Sequence, residues 1–257
     1  MTFGIAKLSI ISLRKEPNHQ SELVSQLLFG ETYEVIIQQG NWINIRNTYD
    51  GYEGWIDASQ HVELSARDHS LQNESVYSVA LESACIASSA SASCAIVAGS
   101  TLSGFDGLNF KIGKEKWVYN GQALLAETGK NNSLLEKIAV RYINAPYLWG
   151  GRSPFGIDCS GFTQVVYKFL NTPLLRDAYQ QAEQGTVINF LEESQPGDLA
   201  FFNNEEGRII HVGIILKDQR IIHASGKVRI DKLDHFGIYN ADTKKYSHQL
   251  KIIKRVL

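Results

Sequence analysis

The chain has 257 residues, 44% of them apolar and 20% charged, a balance that excludes a disordered polypeptide and is long enough for two or three folded domains. With 25 Lys and Arg against 27 Asp and Glu, the formal net charge is −2, so electrostatics give no drive toward nucleic acid or an anionic membrane. Cys85, Cys94 and Cys159 are too few for a disulfide framework, and no Cys-x-x-Cys pair suggests zinc.

The first eleven residues lack a basic leading region, are interrupted by Lys7 and alternate like a strand. Neither a signal peptide nor a membrane span is expected, and the chain as given reads as cytoplasmic. From Gly30 the segment Thr32 to Gln39 leads into the turn Gly40-Asn41, then Trp42-Ile43-Asn44-Ile45-Arg46. A second turn, Asp50-Gly51, precedes Tyr52-Glu53-Gly54-Trp55-Ile56. Short β-branched and aromatic strands between Asn/Asp/Gly turns predict a small barrel over 1–66. The spacing of Leu13-Arg14, Pro17, Gly30-Glu31, Gly40-Asn41-Trp42 and Gly54-Trp55-Ile56 resembles a bacterial SH3 (SH3b) domain.

Residues 67–128 repeat the theme more loosely. Val76 to Ala80, Ala84 to Ala87, Ala95 to Val97 and Lys116-Trp117-Val118-Tyr119 are strand-like, which predicts a second, divergent SH3-like barrel. The serine- and alanine-rich run Ser88 to Ser93 admits the alternative of a flexible insertion.

From 129 to 257 the pattern changes to α+β. Ser133 to Tyr142 carries a capping-box order, Ser133 then Glu136, with apolar residues at helical spacing. A second helix is expected from about Ser160 to Leu170, with Phe162, Val165, Val166 and Phe169 on one face. After Pro196-Gly197-Asp198 come strands at Leu199 to Phe202, Ile209 to Leu216, Arg220 to Ala224 and Val228 to Ile230. A helix followed by an antiparallel sheet carrying histidines suits a papain-like core.

Cys159 falls at the N-terminus of the second helix, where free amides and the helix dipole favour a thiolate. A nucleophile needs a base within hydrogen-bond reach and a third group to orient it. His211 and His223 lie on consecutive strands around the turn Lys217-Asp218-Gln219, so a hairpin brings them together, with His211 as base and His223 as orienting group. Taken singly, a cysteine is more often a small buried hydrophobe than a nucleophile, and a strand histidine is usually structural. Cys85, Cys94, His19, His61, His69, His235 and His248 keep that plainer reading.

The joint pattern overturns it for the others. Pro146-Tyr147-Leu148-Trp149-Gly150-Gly151, Asp158-Cys159-Ser160-Gly161-Phe162, Arg176-Asp177-Ala178, Pro196-Gly197-Asp198-Leu199, His211-Val212-Gly213 and His223-Ala224-Ser225 occur in that order. The set closely resembles the NlpC/P60 cysteine peptidases and, with the SH3b pattern, their γ-D-glutamyl-L-diamino acid endopeptidase branch. The resemblance implies a papain-like catalytic domain behind two SH3b-like barrels. It further implies cleavage of murein peptides with a free N-terminal L-alanine, without metal or organic cofactor. Cys159, His211 and His223 would be catalytic, and Tyr147 would lie near the oxyanion. Asp158, Ser160, Arg176 and Asp177 would line the γ-D-glutamyl pocket. In this branch an acid and a tyrosine of the first barrel hold the substrate amine. Tyr52 matches the tyrosine and Glu22 the acid, with Glu16 and Glu31 as alternatives. Two other readings stay open: a secreted hydrolase of intact peptidoglycan, and a non-catalytic wall-peptide binder.

Overall fold

Alternating apolar residues over short segments build most of the molecule from antiparallel sheet. The computed structural model describes residues 2–126 and 132–257; the expected boundary at 128/129 lies outside them. The chain divides into two compact units, one of Met1–Glu127 with Trp149–Pro154, the other of Thr128–Leu148 with Phe155–Leu257.

In the first unit, β1 (Thr2–Ile5), β2 (Ile10–Arg14), β3 (Leu23–Leu28), β4 (Thr32–Gln39), β5 (Trp42–Asn47), β6 (Glu53–Asp57) and β7 (Glu63–Leu64) form one sheet in the order β3-β2-β6-β5-β4-β1-β7. Its inward residues Ile11, Leu13, Leu27, Tyr33, Ile43, Ile45 and Ile56 make one core. Helix α1 (Ala66–Glu74) follows, capped by Ser65, which accepts from Asp68 N. Periodicity gives no sign of this helix, because Gln72 is its one buried residue. The Gln72 amide is spent on backbone, donating to Lys111 O at 2.9 Å and accepting from Gly113 N at 3.3 Å.

A second sheet contains β8 (Tyr77–Ala80), β9 (Ala84–Ser89), β10 (Ser93–Val97), β11 (Thr101–Ser103), β12 (Asn109–Ile112), β13 (Glu115–Tyr119) and β14 (Ala123–Leu125). Its order, β10-β9-β13-β12-β11-β8-β14, is that of the first sheet seven strands later. The serine- and alanine-rich run is the turn of the β9–β10 hairpin, with Ser89 and Ser91 hydroxyls donating to Glu115. The two sheets share a core in which Phe29 packs edge-on to Trp117, ring centres 5.2 Å apart. Gly30 (φ 83°) sits where a Cβ would lie 2.0 Å from Thr101 O, so only glycine permits this approach.

The segment Trp149–Pro154, with β15 (Arg152–Ser153), belongs to this unit. Arg152 is fully buried and bonds both oxygens of Glu31, at 2.8 and 3.0 Å, while its Nη1 also donates to Gln26 O at 2.6 Å. A buried charge survives only when paired in this way. Gly150 (φ 76°) passes so close to β3 that a Cβ would meet Leu23 O at 2.3 Å.

The second unit holds α2 (Asn132–Val140), β16 (Gly156–Ile157), α3 (Cys159–Lys168), α4 (Ala178–Gln181) and β17 (Thr186–Ile188). Its sheet continues with β18 (Leu199–Asn203), β19 (Ile209–Leu216), β20 (Arg220–Ser225), β21 (Lys227–Asp234), β22 (Gly237–Asn240) and β23 (Lys245–Arg255). The order is β17-β23-β18-β19-β20-β21-β22, and β22 pairs again with β23, which closes six strands into a barrel. Helix α3 packs on β19 and β20. Among the described residues, no helix is long and apolar enough to cross a membrane.

Candidate active site

Cys159 opens α3 and is buried, 6% exposed. Asp158 caps the helix by accepting from Gly161 N at 2.7 Å. Its carboxylate also pairs with both Arg176 Nη atoms, at 3.0 and 2.6 Å, and Arg176 Nη1 donates to Ser160 Oγ at 2.9 Å. Arg176 is 1% exposed, so this is a buried ion pair built around the residue before the thiol. Asp177 is the half-buried N-cap of α4, with Gln180 reaching back to its amide at 3.0 Å.

Strand alternation supplies the imidazoles. Gly213 pairs with His223 across β19 and β20, so His211, two residues back on the same face, is a diagonal neighbour of His223. The rings meet, His211 Nε2 to His223 Nδ1 at 2.8 Å. Gly213 makes room, because a Cβ there would lie 2.9 Å from His223 Cβ. The backbone amides of Val212, next to His211, and of Ser160 lie near the Cys159 sulfur and act to lower its thiol. Among the described residues no hydrogen bond joins Cys159 Sγ to His211.

Two groups join this cluster that sequence reasoning passed over. Asp231 on β21 bonds His223 Nε2 through Oδ2 at 3.0 Å. His248 on β23 stacks on His211, with ring centres 4.1 Å apart and planes 21° off parallel. Asp231 reaches His223 through the β20–β21 pairing, in which Ile221 faces Asp231 and His223 faces Arg229. Ring nitrogens of His211, His223 and His248 lie within 4.8 Å of one another. In stacked rings, however, the in-plane lone pairs of His211 and His248 run side by side and do not converge on a metal.

The phenol of Tyr147 is raised above its ordinary range, first by burial and then by Cys159 and Asp158, so it is a neutral donor facing them. The first-barrel candidates lie in the other unit. Glu22 accepts from Trp149 Nε1 at 2.8 Å and from Lys15 Nζ at 3.2 Å, bonds that hold its carboxyl below the usual range. Glu31 is taken up by Arg152, whereas Glu16 lies in an exposed turn. Tyr52 is half-buried, its amide bonded to Asp50 Oδ1 at 3.0 Å.

Comparison with known proteins agrees with this geometry. Residues 144–248 match the NlpC/P60 family, and residues 13–60 match the bacterial dipeptidyl-peptidase Sh3 domain. The chain carries an NlpC/P60 domain behind a bacterial SH3 domain. It is similar to a γ-D-glutamyl-L-lysine dipeptidyl-peptidase of Bacillus subtilis, 28% identical over 213 residues, 78% of this chain and 71% of that one. A dipeptidyl-peptidase 6 of Lysinibacillus sphaericus is 27% identical over 263 residues, 87% of this chain and 89% of that one. The fold matches the crystal structure of an NlpC/P60 family protein from Bacillus cereus, TM-score 0.83 over 99% of both chains at 19% identity. The protein is thus a cysteine peptidase.

In this NlpC/P60 site burial opposes the pull of the helix N-terminus on the thiol. Burial first, and Asp158 second, push the Cys159 thiol up to about 12, against the Val212 and Ser160 amides and Arg176. Burial, then His223 and His248, hold His211 well below its ordinary value. A raised thiol and a lowered imidazole both favour the neutral pair near neutrality. Subtracting the absorbance near 240 nm of Cys159→Ala from that of the wild type should therefore give no thiolate signal between about pH 6 and 8. A step of one thiolate with a midpoint below about pH 6 would contradict this.

Proposed function

We propose that the protein hydrolyses the bond between γ-D-glutamate and the diamino acid of murein peptides that carry a free N-terminal L-alanine. The observation that carries the reading is the bonded His211–His223 pair on the strands that pack against the helix opened by Cys159. Cys159 also has the Val212 and Ser160 amides near its sulfur and the Asp158–Arg176–Ser160 cluster beside it. The names carried by the two relatives support the substrate class.

In the proposed reaction, His211 Nδ1 takes the thiol proton as sulfur attacks the γ-carbonyl carbon. The amides near the sulfur and the Tyr147 hydroxyl receive the developing oxyanion. The imidazolium then gives its proton to the leaving amine, and water hydrolyses the thioester with His211 again as base. Ser160 is a hydroxyl donor suited to the glutamyl α-carboxylate, backed by Arg176, with Asp158 and Asp177 as further lining residues. Glu22 and Tyr52 are our assignment for the substrate's ammonium. We read the catalytic domain as papain-like and the second sheet, with its repeated strand order, as a divergent SH3b barrel.

Turnover of L-Ala-γ-D-Glu-L-Lys should exceed that of its N-acetylated form by about 10²-fold or more, because acetylation removes the charge a carboxylate would pair with. Equal kcat/KM for the two peptides would refute the free-amine requirement.

A further inference from the structure

The chain of hydrogen bonds does not stop at the second histidine. Asp231 is 6% exposed and accepts three charged or polar bonds: His223 Nε2 at 3.0 Å, Arg229 Nε at 2.7 Å and Arg229 Nη2 at 2.9 Å. Burial alone would raise its carboxyl, but the bonds from His223 and Arg229 outweigh it and hold the group below its ordinary value. Asp231 is therefore a carboxylate, and a carboxylate can only accept.

We infer that Asp231 is a positioning residue that sets the tautomers of both histidines and so leaves the lone pair of the base on His211 Nδ1. With the acceptor fixed, the proton between Asp231 and His223 sits on His223 Nε2. Neutral His223 then has its lone pair on Nδ1, and the 2.8 Å contact is a donation from His211 Nε2–H. His211, with one proton to place, has it on Nε2 and is free to accept at Nδ1. When His211 takes a second proton the same chain, His211–His223–Asp231–Arg229, has an anion two bonds away to oppose the new charge. Among the described residues, His248 stacks on His211, and Asp242 pairs with Arg229 at 2.9 Å.

This inference rests on the peptidase reading for its kinetics but not for its spectroscopy. Long-range proton–nitrogen correlation spectra of the full chain labelled with ¹⁵N-histidine should show neutral His223 protonated on Nε2, whether or not the protein turns over the tripeptide. Asp231→Asn should lower kcat on L-Ala-γ-D-Glu-L-Lys by about 10²-fold with KM within about threefold, since every orientation of the amide removes the charge. Protonation of His223 on Nδ1 in the wild type would overturn the inference, as would a folded Asp231→Asn variant with kcat within about threefold of wild type. If that variant does not fold, the wild-type spectrum alone decides. An inactive wild type with His223 protonated on Nε2 would count against the peptidase reading and leave the tautomer assignment standing.

Discussion

Cys159→Ala should lower kcat on L-Ala-γ-D-Glu-L-Lys by about 10⁴-fold or more while the protein still folds. No other described group can replace the sulfur. Cys85 and Cys94 lie in the first unit, in the β9–β10 hairpin, and Ser160, the adjacent hydroxyl, already receives Arg176. The folding cost should be small, within about 1 kcal/mol, because only one heavy atom leaves the core. No buried charge loses its partner. Activity measured beside a thermal melt checks both halves, and a folded variant retaining more than about a tenth of wild-type kcat would refute the assignment of the nucleophile.

Arg176→Met has the opposite character, with the larger effect on stability. It leaves the Asp158 carboxylate without its guanidinium, and truncating one partner of a buried pair costs about 3–5 kcal/mol. For a unit of this size that corresponds to a fall in melting temperature of about 10 °C. Asp158 also caps α3 through Gly161 N, so its disturbance reaches the residue that follows it, Cys159. The double variant Asp158→Leu, Arg176→Met should recover part of the loss, since an apolar pair carries no unpaired charge. If Arg176→Met melts within about 2 °C of the wild type, the pair is not the support described here.

Much of this was legible in the residues. Alternation predicted β18 to β20 within a residue or two, and the Asp-Cys-Ser sequence placed the thiol at a helix start, because capping chemistry and strand period are local properties. The long-range partners were harder to see. Glu31 stands in the sequence as an alternative partner for the substrate amine, yet it is buried against Arg152, 121 residues away. Helix α1 escaped because its stability comes from a serine cap and one buried amide, without an apolar stripe. His248 was passed over because β23, from Lys245 to Arg255, is mostly exposed along its first half; the long-range pairing of β23 with β18, itself paired with β19, brings that histidine to His211. Asp231 needs the β20–β21 register, which no local pattern states. The opposing effect of burial on the thiol was harder to see for a related reason. A helix N-terminus is visible in sequence, whereas the burial that outweighs it is not.

The central claim is acyl transfer from the γ-glutamyl carbonyl to Cys159. Acid quenching of the protein during turnover of L-Ala-γ-D-Glu-L-Lys, followed by mass spectrometry of its peptides, tests that claim most directly. The account predicts an L-Ala-γ-D-Glu adduct, added with loss of lysine, on the peptide containing Cys159, labile to hydroxylamine. An adduct that retains the lysine, one on a peptide without Cys159, or turnover with no thiol-linked adduct at any time point would contradict it.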